Sequence, residues 1–371
     1  MRKLRIGVAG LGRAFQVMAP AFADPRVELV AAADPRPGAS FPGRILPSLE
    51  DLCRSSVDVV YVATPHQLHA EHACLAAQHG KHVLVEKPMA LSLEECRRMI
   101  DAARRADVQL VVGHSHSFDL PIMRARELIR SGEFGRLRMI TALNFTAFLY
   151  RPRRPEELDS ARGGGAVFNQ AAHQVDVARI LSPGRILSVR AQTGNWDAAR
   201  PTEGAYSALL SFEDGAFASL TYSGYAHFDS DELMGWIGEL GGWKDPAQHG
   251  VSRKTLDDRR KYAPRKLQAQ THHQHFGLVI ASCEHADLRP LPDGVMIYGD
   301  EEKRLDPLPA PTLPRQEVID ELYDAVVNGK KPLHGGEWGM ATLEVCLAML
   351  ESSKLQSDIK LRHQPKSAWR T

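Results

Sequence analysis

Five short apolar runs punctuate the first 115 residues: RIGVAG from Arg5, VELVAAAD from Val27, VDVVYVAT from Val57, KHVLVEK from Lys81 and VQLVVGH from Val108. None alternates apolar with polar residues. Strands covered on both faces read this way, whereas strands of a one-sided sheet alternate. Between the runs lie stretches at helical spacing, HQLHAEHACLAAQHG and SLEECRRMIDAARRAD. The second opens with Ser92 and carries Glu95 three residues on, a capping-box pattern. Strands alternating with helices imply right-handed βαβ units and a doubly wound parallel sheet. The stretch PRPGASFPG after Asp34 breaks the rhythm, so the usual helix between the second and third runs is expected to be missing or very short.

A chain of 371 residues exceeds what one core usually supports, about 250–300 residues, so two domains are expected. Past residue 118 the character changes. The helical stretch PIMRARELIRSGEFG leads into LRMITALNFTAFLY, then Gly163–Gly165 and a helical segment to Leu181. Strand-like runs follow in ILSVRAQTG, YSALLSFEDG, FASLTYSGYA and GVMIYGD, with Asp214-Gly215 as a hairpin signal. The predicted fold class is α/β: an N-terminal doubly wound Rossmann domain over 1–118 and a C-terminal α+β domain over 119–371 with a mostly antiparallel open sheet. Residues 242–275 read as a long polar surface insertion. His272, His273 and His275 within it fit no zinc spacing and are expected at solvent or a partner surface. Two amphipathic helices, PRQEVIDELYDAVVNGK and GEWGMATLEVCLAMLESSK, close the chain and can pack back on the first domain.

Gly10-Leu11-Gly12-Arg13-Ala14-Phe15 follows the first predicted strand and opens a helix. Gly10 permits the tight turn, Gly12 lets backbone amides approach a pyrophosphate, and the helix start adds its positive end. Asp34 lies 22 residues after Gly12, at the end of the second strand, where an acid accepts from a ribose 2′-OH. The third glycine position holds Phe15, which is expected to keep the helix slightly off the strand. Asp34 favours NAD as cofactor, and Arg36, able to meet a 2′-phosphate, leaves NADP open.

Whole-chain properties exclude several classes. Basic and acidic residues number 46 and 45, so no charged surface for nucleic acid or membrane stands out. No apolar run approaches the roughly 20 residues that span a bilayer. The five cysteines, Cys53, Cys74, Cys96, Cys283 and Cys346, are odd in number and form no CxxC pair. Free thiols in a reducing, cytoplasmic setting are expected, and no metal site.

Glu86-Lys87-Pro88 at the end of the fourth run resembles the EKP motif of the Gfo/Idh/MocA oxidoreductase family. Ala63-Thr64-Pro65-His66 through His69 resembles that family's ATP-x-x-x-H segment, and Gly163-Gly164-Gly165 through His173 and Asp176 resembles its glycine–histidine–aspartate segment. The resemblance runs from Arg5 to about Gln364. It implies a dehydrogenase in which Lys87 is catalytic with His173, and in which Thr64, Pro65, His66, His69 and Glu86 border the cofactor. A lysine must be depressed from a pKa near 10.4 to act as a base near neutrality, and burial does this. Asn169 stands where the family commonly has an aspartate and cannot serve as a base. Asn169 and His173 are four apart, on one face of a helix, aimed at one pocket.

Long stretches such as FLYRPRRPEELDSARGGGAVF and RPTEGAYSALLSFEDGAFASLTYSGYAHFDSDE look closer to one branch of that family, the bacterial dehydrogenases of phthalate 4,5-cis-dihydrodiol. This implies oxidation of a dianionic cis-dihydrodiol to 4,5-dihydroxyphthalate in aromatic degradation. Arg151, Arg153 and Arg154 then suit two carboxylates, because guanidinium forks bind carboxylates bidentately. His114, His116, Asn169 and Asp176 complete the expected substrate pocket. Two rivals stand beside this reading: a sugar or inositol dehydrogenase of the family, and a non-catalytic dinucleotide-binding regulator. A homodimer or homotetramer is expected from the open sheet.

Overall fold

The structure, a computed structural model, describes residues 2–225, 227–248, 250–261 and 269–365. The chain groups into two compact units. One runs to His114 and resumes over Thr312–Leu343; the other holds Ser115–Pro311 and resumes at Glu344. The division thus falls at His114 rather than after residue 118, and a segment from the far end of the chain returns to the first unit.

In the first unit, β1 (Leu4–Ala9), β2 (Val27–Ala33), β3 (Arg44–Leu46), β4 (Val59–Val62), β5 (His82–Val85) and β6 (Leu110–Val112) form one sheet in the order 3-2-1-4-5-6. Every pairing is parallel. All four residues of β4 are buried, as the unbroken apolar run requires. Helix α1 (Arg13–Met18) follows the glycine turn, and no helix separates β2 from β3. A short α2 (Leu49–Arg54) stands instead between β3 and β4, with Ser48 Oγ accepting from Asp51 N at 3.1 Å. Helices α3 (His69–Gln78) and α4 (Leu93–Arg105) complete the crossovers. The capping box at α4 forms as the sequence predicts, Ser92 Oγ accepting from Glu95 N and Glu95 accepting from Ser92 N.

The second unit holds β7 (Leu137–Phe145), β8 (Ile186–Gly194), β9 (Ala205–Phe212), β10 (Phe217–Ser223), β11 (Leu278–Cys283), β12 (Ala286–Leu291), β13 (Gly294–Gly299), β14 (Lys303–Pro307) and β15 (Ile359–Lys360). They make one sheet in the order 14-13-12-11-7-10-9-8-15. The β7–β10 pair is parallel and the other observed pairs are antiparallel. The β9–β10 hairpin turns at Asp214-Gly215, where Gly215 has φ +87°. Helices α5 (Leu120–Ser131) and α6 (Ala172–Leu181) pack on one face. The opposite face presents Leu187, Leu209 and Phe217.

The described part of the polar insertion, which includes α7 (Val251–Lys254), is tied down rather than loose. Arg253 stacks its guanidinium over Tyr150 at 3.8 Å, Asp258 accepts from Arg153 N at 2.7 Å, and Lys261 donates to Glu157 at 2.6 Å. Residues 262–268 of the insertion lie outside the described residues. His273 and His275 are buried, correcting the expectation of an exposed cluster. They donate to the carbonyls of Pro309 and Ile237 and so pin backbone.

Of the closing helices, α8 (Gln316–Val327) belongs to the first unit. Helix α9 (Gly336–Leu355) belongs to the first unit up to Leu343 and to the second thereafter. It is not amphipathic: every residue from Ala341 to Cys346 is buried, Glu344 among them, its carboxylate accepting from Arg362 N and His363 N. No described helix is long and apolar enough to cross a membrane, and no disulfide joins any of the five cysteines.

Candidate active site

The first unit gathers its predicted residues along the carboxyl ends of the parallel strands. Gly10 has φ +91°, and a Cβ there would strike Ala63 O at 2.8 Å, so only glycine fits the turn. A Cβ on Gly12 would meet nothing within 4 Å, which leaves the backbone open to a ligand as a phosphate cradle needs. Arg13 is exposed and Ala14 half-buried beside it. The Phe15 ring is buried against Phe22 and Phe41, centroids 6.5 and 5.8 Å away, and so anchors the glycine-rich segment after Asp34.

Asp34 accepts from Leu11 N at 2.7 Å and from Arg36 through its backbone N, Nε and Nη2 at 2.9, 2.8 and 2.7 Å. Burial pushes its pKa up, but Arg36 outweighs burial and holds the carboxylate below its usual value. The two residues predicted to discriminate NAD from NADP are therefore locked together.

After β4, Thr64, Pro65 and His66 are half-buried. His69 is fully buried, its Nδ1 2.9 Å from Pro88 O and its Nε2 2.9 Å from Thr64 O. Burial drives its pKa down to about 4. It ties the loop after β4 to the loop after β5. After β5, Glu86 is buried and Lys87 half-buried. Tyr61 Oη donates to Glu86 at 2.6 Å, and burial raises the Glu86 pKa against the pull of Arg315. His114 is buried just beyond β6.

The second unit assembles a ring cluster. His173, on α6, packs against His116 and Phe276, each at 4.7 Å between centroids, and its Nδ1 lies 3.5 Å from Ser115 Oγ. Phe276 stacks in turn on Tyr222 of β10, and Tyr222 on Tyr206 of β9. His116 Nδ1 is 2.6 Å from Asp119 Oδ2. Burial opposes a charge on His116, yet Asp119 and Glu239 outweigh it and raise its pKa above the ordinary histidine value. A cavity lined by His116, Ile122, Ala142, Gln174, Val177 and Phe276 opens beside it.

Four expected substrate contacts are engaged elsewhere. Asn169 sits in a π-helical turn, Val167–Ala171, and donates to Gly163 O and Gly165 O at 3.3 and 2.8 Å, so it braces the glycine run. Asp176 pairs with buried Arg179 at 3.6 Å. Arg153 lies over the Phe148 ring at 3.9 Å and donates to Phe148 O, burial lowering its pKa to about 10. Arg154 pairs with Glu156 and Glu157 at 3.2 and 3.4 Å. Arg151 lies 3.6 Å from Glu239, and Arg151 and Arg153 both act electrostatically on Tyr222. Tyr61, Ser115, Glu239, Phe276 and Arg315 escaped the sequence reading. The GHSHSFD stretch could have flagged Ser115, but nothing in the sequence marks Glu239 or Arg315.

Two family models match the chain: "Oxidoreductase family, NAD-binding Rossmann fold" over residues 4–114 and "GFO/IDH/MocA C-terminal domain" over 122–243. A Comamonas testosteroni protein named 1-carboxy-3-chloro-3,4-dihydroxycyclohexa-1,5-diene dehydrogenase is 49% identical over 377 residues, 95% of either chain. A solved dehydrogenase from Bordetella bronchiseptica RB50 superposes with TM-score 0.92 at 42% identity, covering 97% of this chain and 100% of that one. The WlbA dehydrogenase from Bordetella pertussis, solved with NADH and UDP-GlcNAcA, gives TM-score 0.69 at 25% identity over 97% and 99% of the two chains. The Gly10–Gly12 turn, open at Gly12, fits the dinucleotide that the first model describes. The chain belongs to the Gfo/Idh/MocA oxidoreductase family and is an NAD-dependent dehydrogenase.

Proposed function

We propose that the protein oxidises a carboxylated cis-dihydrodiol to the corresponding catechol, with NAD as hydride acceptor, in the breakdown of aromatic acids. The observation that carries this reading is the near full-length likeness to a dehydrogenase whose name describes a carboxylated diene diol. The site lends support through Arg151, a guanidinium 3.6 Å from Glu239, whose other carboxylate oxygen is 3.8 Å from His116. Phthalate 4,5-cis-dihydrodiol is the specific substrate the narrower resemblance suggests. With Arg153 and Arg154 held in their own loop, the case for two carboxylates rests on that resemblance.

Lys87 would take the hydroxyl proton as the carbinol carbon is oxidised, and His173 is the second acid–base group of this reading. The hydroxy-dienone so formed tautomerises to the catechol, and the gain of aromaticity drives the reaction forward. Gly10, Gly12 and Asp34 would hold NAD, which would supply the hydride acceptor, and Glu86 and His69 brace the loops that flank Lys87.

The test is turnover. Purified protein with NAD is offered phthalate 4,5-cis-dihydrodiol, a monocarboxylated cis-dihydrodiol, an uncarboxylated cis-dihydrodiol, levoglucosan and myo-inositol. Absorbance of reduced nicotinamide is followed. Carboxylated diols should be oxidised with the highest kcat/KM. Preference for either sugar-type substrate overturns the reading, and so does inactivity toward all three diols.

A further inference from the structure

Glu203 stands at the foot of β9 and reaches the start of the helical segment that carries His173. Two backbone N–H groups of that segment end on it. Ala166 N donates to the Glu203 carbonyl at 2.8 Å, and Val167 N donates to Oε1 at 3.1 Å. The first N–H groups of a helix have no partner within it, and Ala166, at the start of the π-helical turn, has no side chain able to cap them. Glu203 supplies the cap from a distant part of the chain, and a carboxylate suits the positive end of a helix. Its other oxygen is held as well: Oε2 accepts from Ser160 Oγ and, at 3.2 Å, from Thr202 Oγ1. Glu203 is buried, which pushes its pKa up, and the bonds from Ser160 and Val167 N work against that rise.

The glycine run is shaped to this cap. Gly165 has φ +81°, and a Cβ there would fall on the Glu203 carboxylate, so the third glycine makes room for it. On the sheet side, Gly204 N donates to Gly194 O at 2.9 Å and Gly224 N to Gly204 O at 2.7 Å, which fixes the backbone beside Glu203 to the ends of β8 and β10. On the helix side, the π-helical turn continues without a break into α6, and His173 is the second residue of that helix. His173 Nδ1 is 3.5 Å from Ser115 Oγ, at the outer limit of hydrogen bonding, so a small shift of α6 makes or breaks this contact.

We propose that Glu203 is a positioning residue: anchored at the sheet, it sets where the π-helical turn begins and thereby where α6 presents the His173 imidazole. It acts on the reaction through His173, and so rests on the reading of His173 as the second acid–base group. Misplacing such a group by about 1 Å can cost on the order of 10²-fold in rate, which makes a remote cap visible in turnover.

The experiment has two arms, both on the full chain. In the first, isotope-labelled histidine side chains are observed by NMR without substrate, and the His173 signals are identified by their loss in His173→Gln. Glu203→Ala should move the His173 ring signals and leave those of His69, in the first unit, in place. Unmoved His173 signals overturn the proposal. In the second arm, oxidation of a monocarboxylated cis-dihydrodiol by NAD is followed. Glu203→Ala should lower kcat and kcat/KM alike, by about 10- to 100-fold, as for an interaction realised in the transition state. Glu203→Gln keeps an oxygen for Val167 N and should retain kcat within about threefold. In a His173→Ala background, Glu203→Ala should cost less than about twofold more, because a residue acting through another adds nothing once that one is gone. A full further loss in the double variant, or a Gln variant as slow as the Ala one, overturns the proposal. Should Glu203→Ala fail to fold, Ser160→Ala removes one donor to Oε2 and should move the His173 signals in the same direction, by less; unmoved signals there overturn it equally. Moved His173 signals without oxidation of any diol would sink only the proposed reaction, and diol oxidation with unmoved His173 signals would sink only the positioning.

Discussion

Arg36→Ala should improve NADH binding, although it deletes a cation beside a cofactor that carries negative phosphates. An ionised carboxylate offers about four acceptor positions, and those of Asp34 are taken by Leu11 N and by three N–H groups of Arg36. A ribose hydroxyl must therefore displace a bond that Arg36 already makes. Charge-assisted hydrogen bonds contribute about 1.5–3 kcal/mol. The Asp34 side chain is 3% exposed but that of Arg36 is 35% exposed. Solvent screening at the arginine brings the competition down to about 1 kcal/mol. That corresponds to roughly fivefold tighter NADH, by the rule of 1.4 kcal/mol per tenfold. NADPH should respond in the opposite sense, because a 2′-phosphate would meet a bare Asp34 without its guanidinium. Titrating both reduced cofactors by their fluorescence, in wild type and variant, gives the two constants directly. Weaker NADH binding in Arg36→Ala, or a shift of preference toward NADPH, would refute the competition and make Arg36 a cofactor ligand.

Lys87→Ala should lower kcat by roughly 10²–10⁴-fold, the range for losing a general acid–base group, with NADH affinity far less affected; near-normal turnover would remove Lys87 from the chemistry. His69 is buried neutral, with a folded pKa of about 4 against an ordinary 6.5. Its contribution to stability is present above pH 6.5 and is lost as pH falls toward 4, on the order of 3 kcal/mol in all. In denaturant titrations at pH 7 and pH 4.5, His69→Gln should lose less stability than wild type between the two pH values; an equal loss would place the acid sensitivity elsewhere. Arg151→Ala should raise KM for a carboxylated diol roughly 10- to 150-fold and leave an uncarboxylated one unchanged, following the 1.5–3 kcal/mol of a charge-assisted bond. Arg153→Ala should instead lower the melting temperature, since its guanidinium packs on Phe148 and bonds the Phe148 carbonyl.

The parallel sheet was legible because its strands are buried on both faces and cannot hide among alternating patterns. Strand β3 was not, being three residues long, with Arg44 and Ile45 exposed. In the second unit β12 escaped notice because ADLRPL carries an arginine and a proline, and β14 because KRLDP, at the sheet edge, is mostly polar. The glycine turn and Asp34 were read from local chemistry, which needs only neighbouring residues. Glu239, Arg315 and Tyr61 owe their roles to partners 123, 229 and 25 residues away, His116, Glu86 and Glu86 again. No short-range pattern records such a meeting. The three arginines are neighbours in sequence, yet Arg151 faces Glu239 while Arg153 and Arg154 share Glu157, a division no local pattern records.

The return of Thr312–Leu343 to the first unit has a cost at synthesis. Strand β6 is the outer strand of its sheet, and its free side is closed by the far segment: Val112 N donates to His334 O at 2.8 Å, and Val111 bridges Gly335. Until the ribosome has made that segment, an edge of hydrophobic backbone stands open to any other strand. At about 5–20 residues per second, the roughly 200 intervening residues take on the order of 10–40 s. Nascent chains should be most prone to aggregate, and most dependent on chaperones, in that interval, and a fragment ending near residue 118 should never leave it.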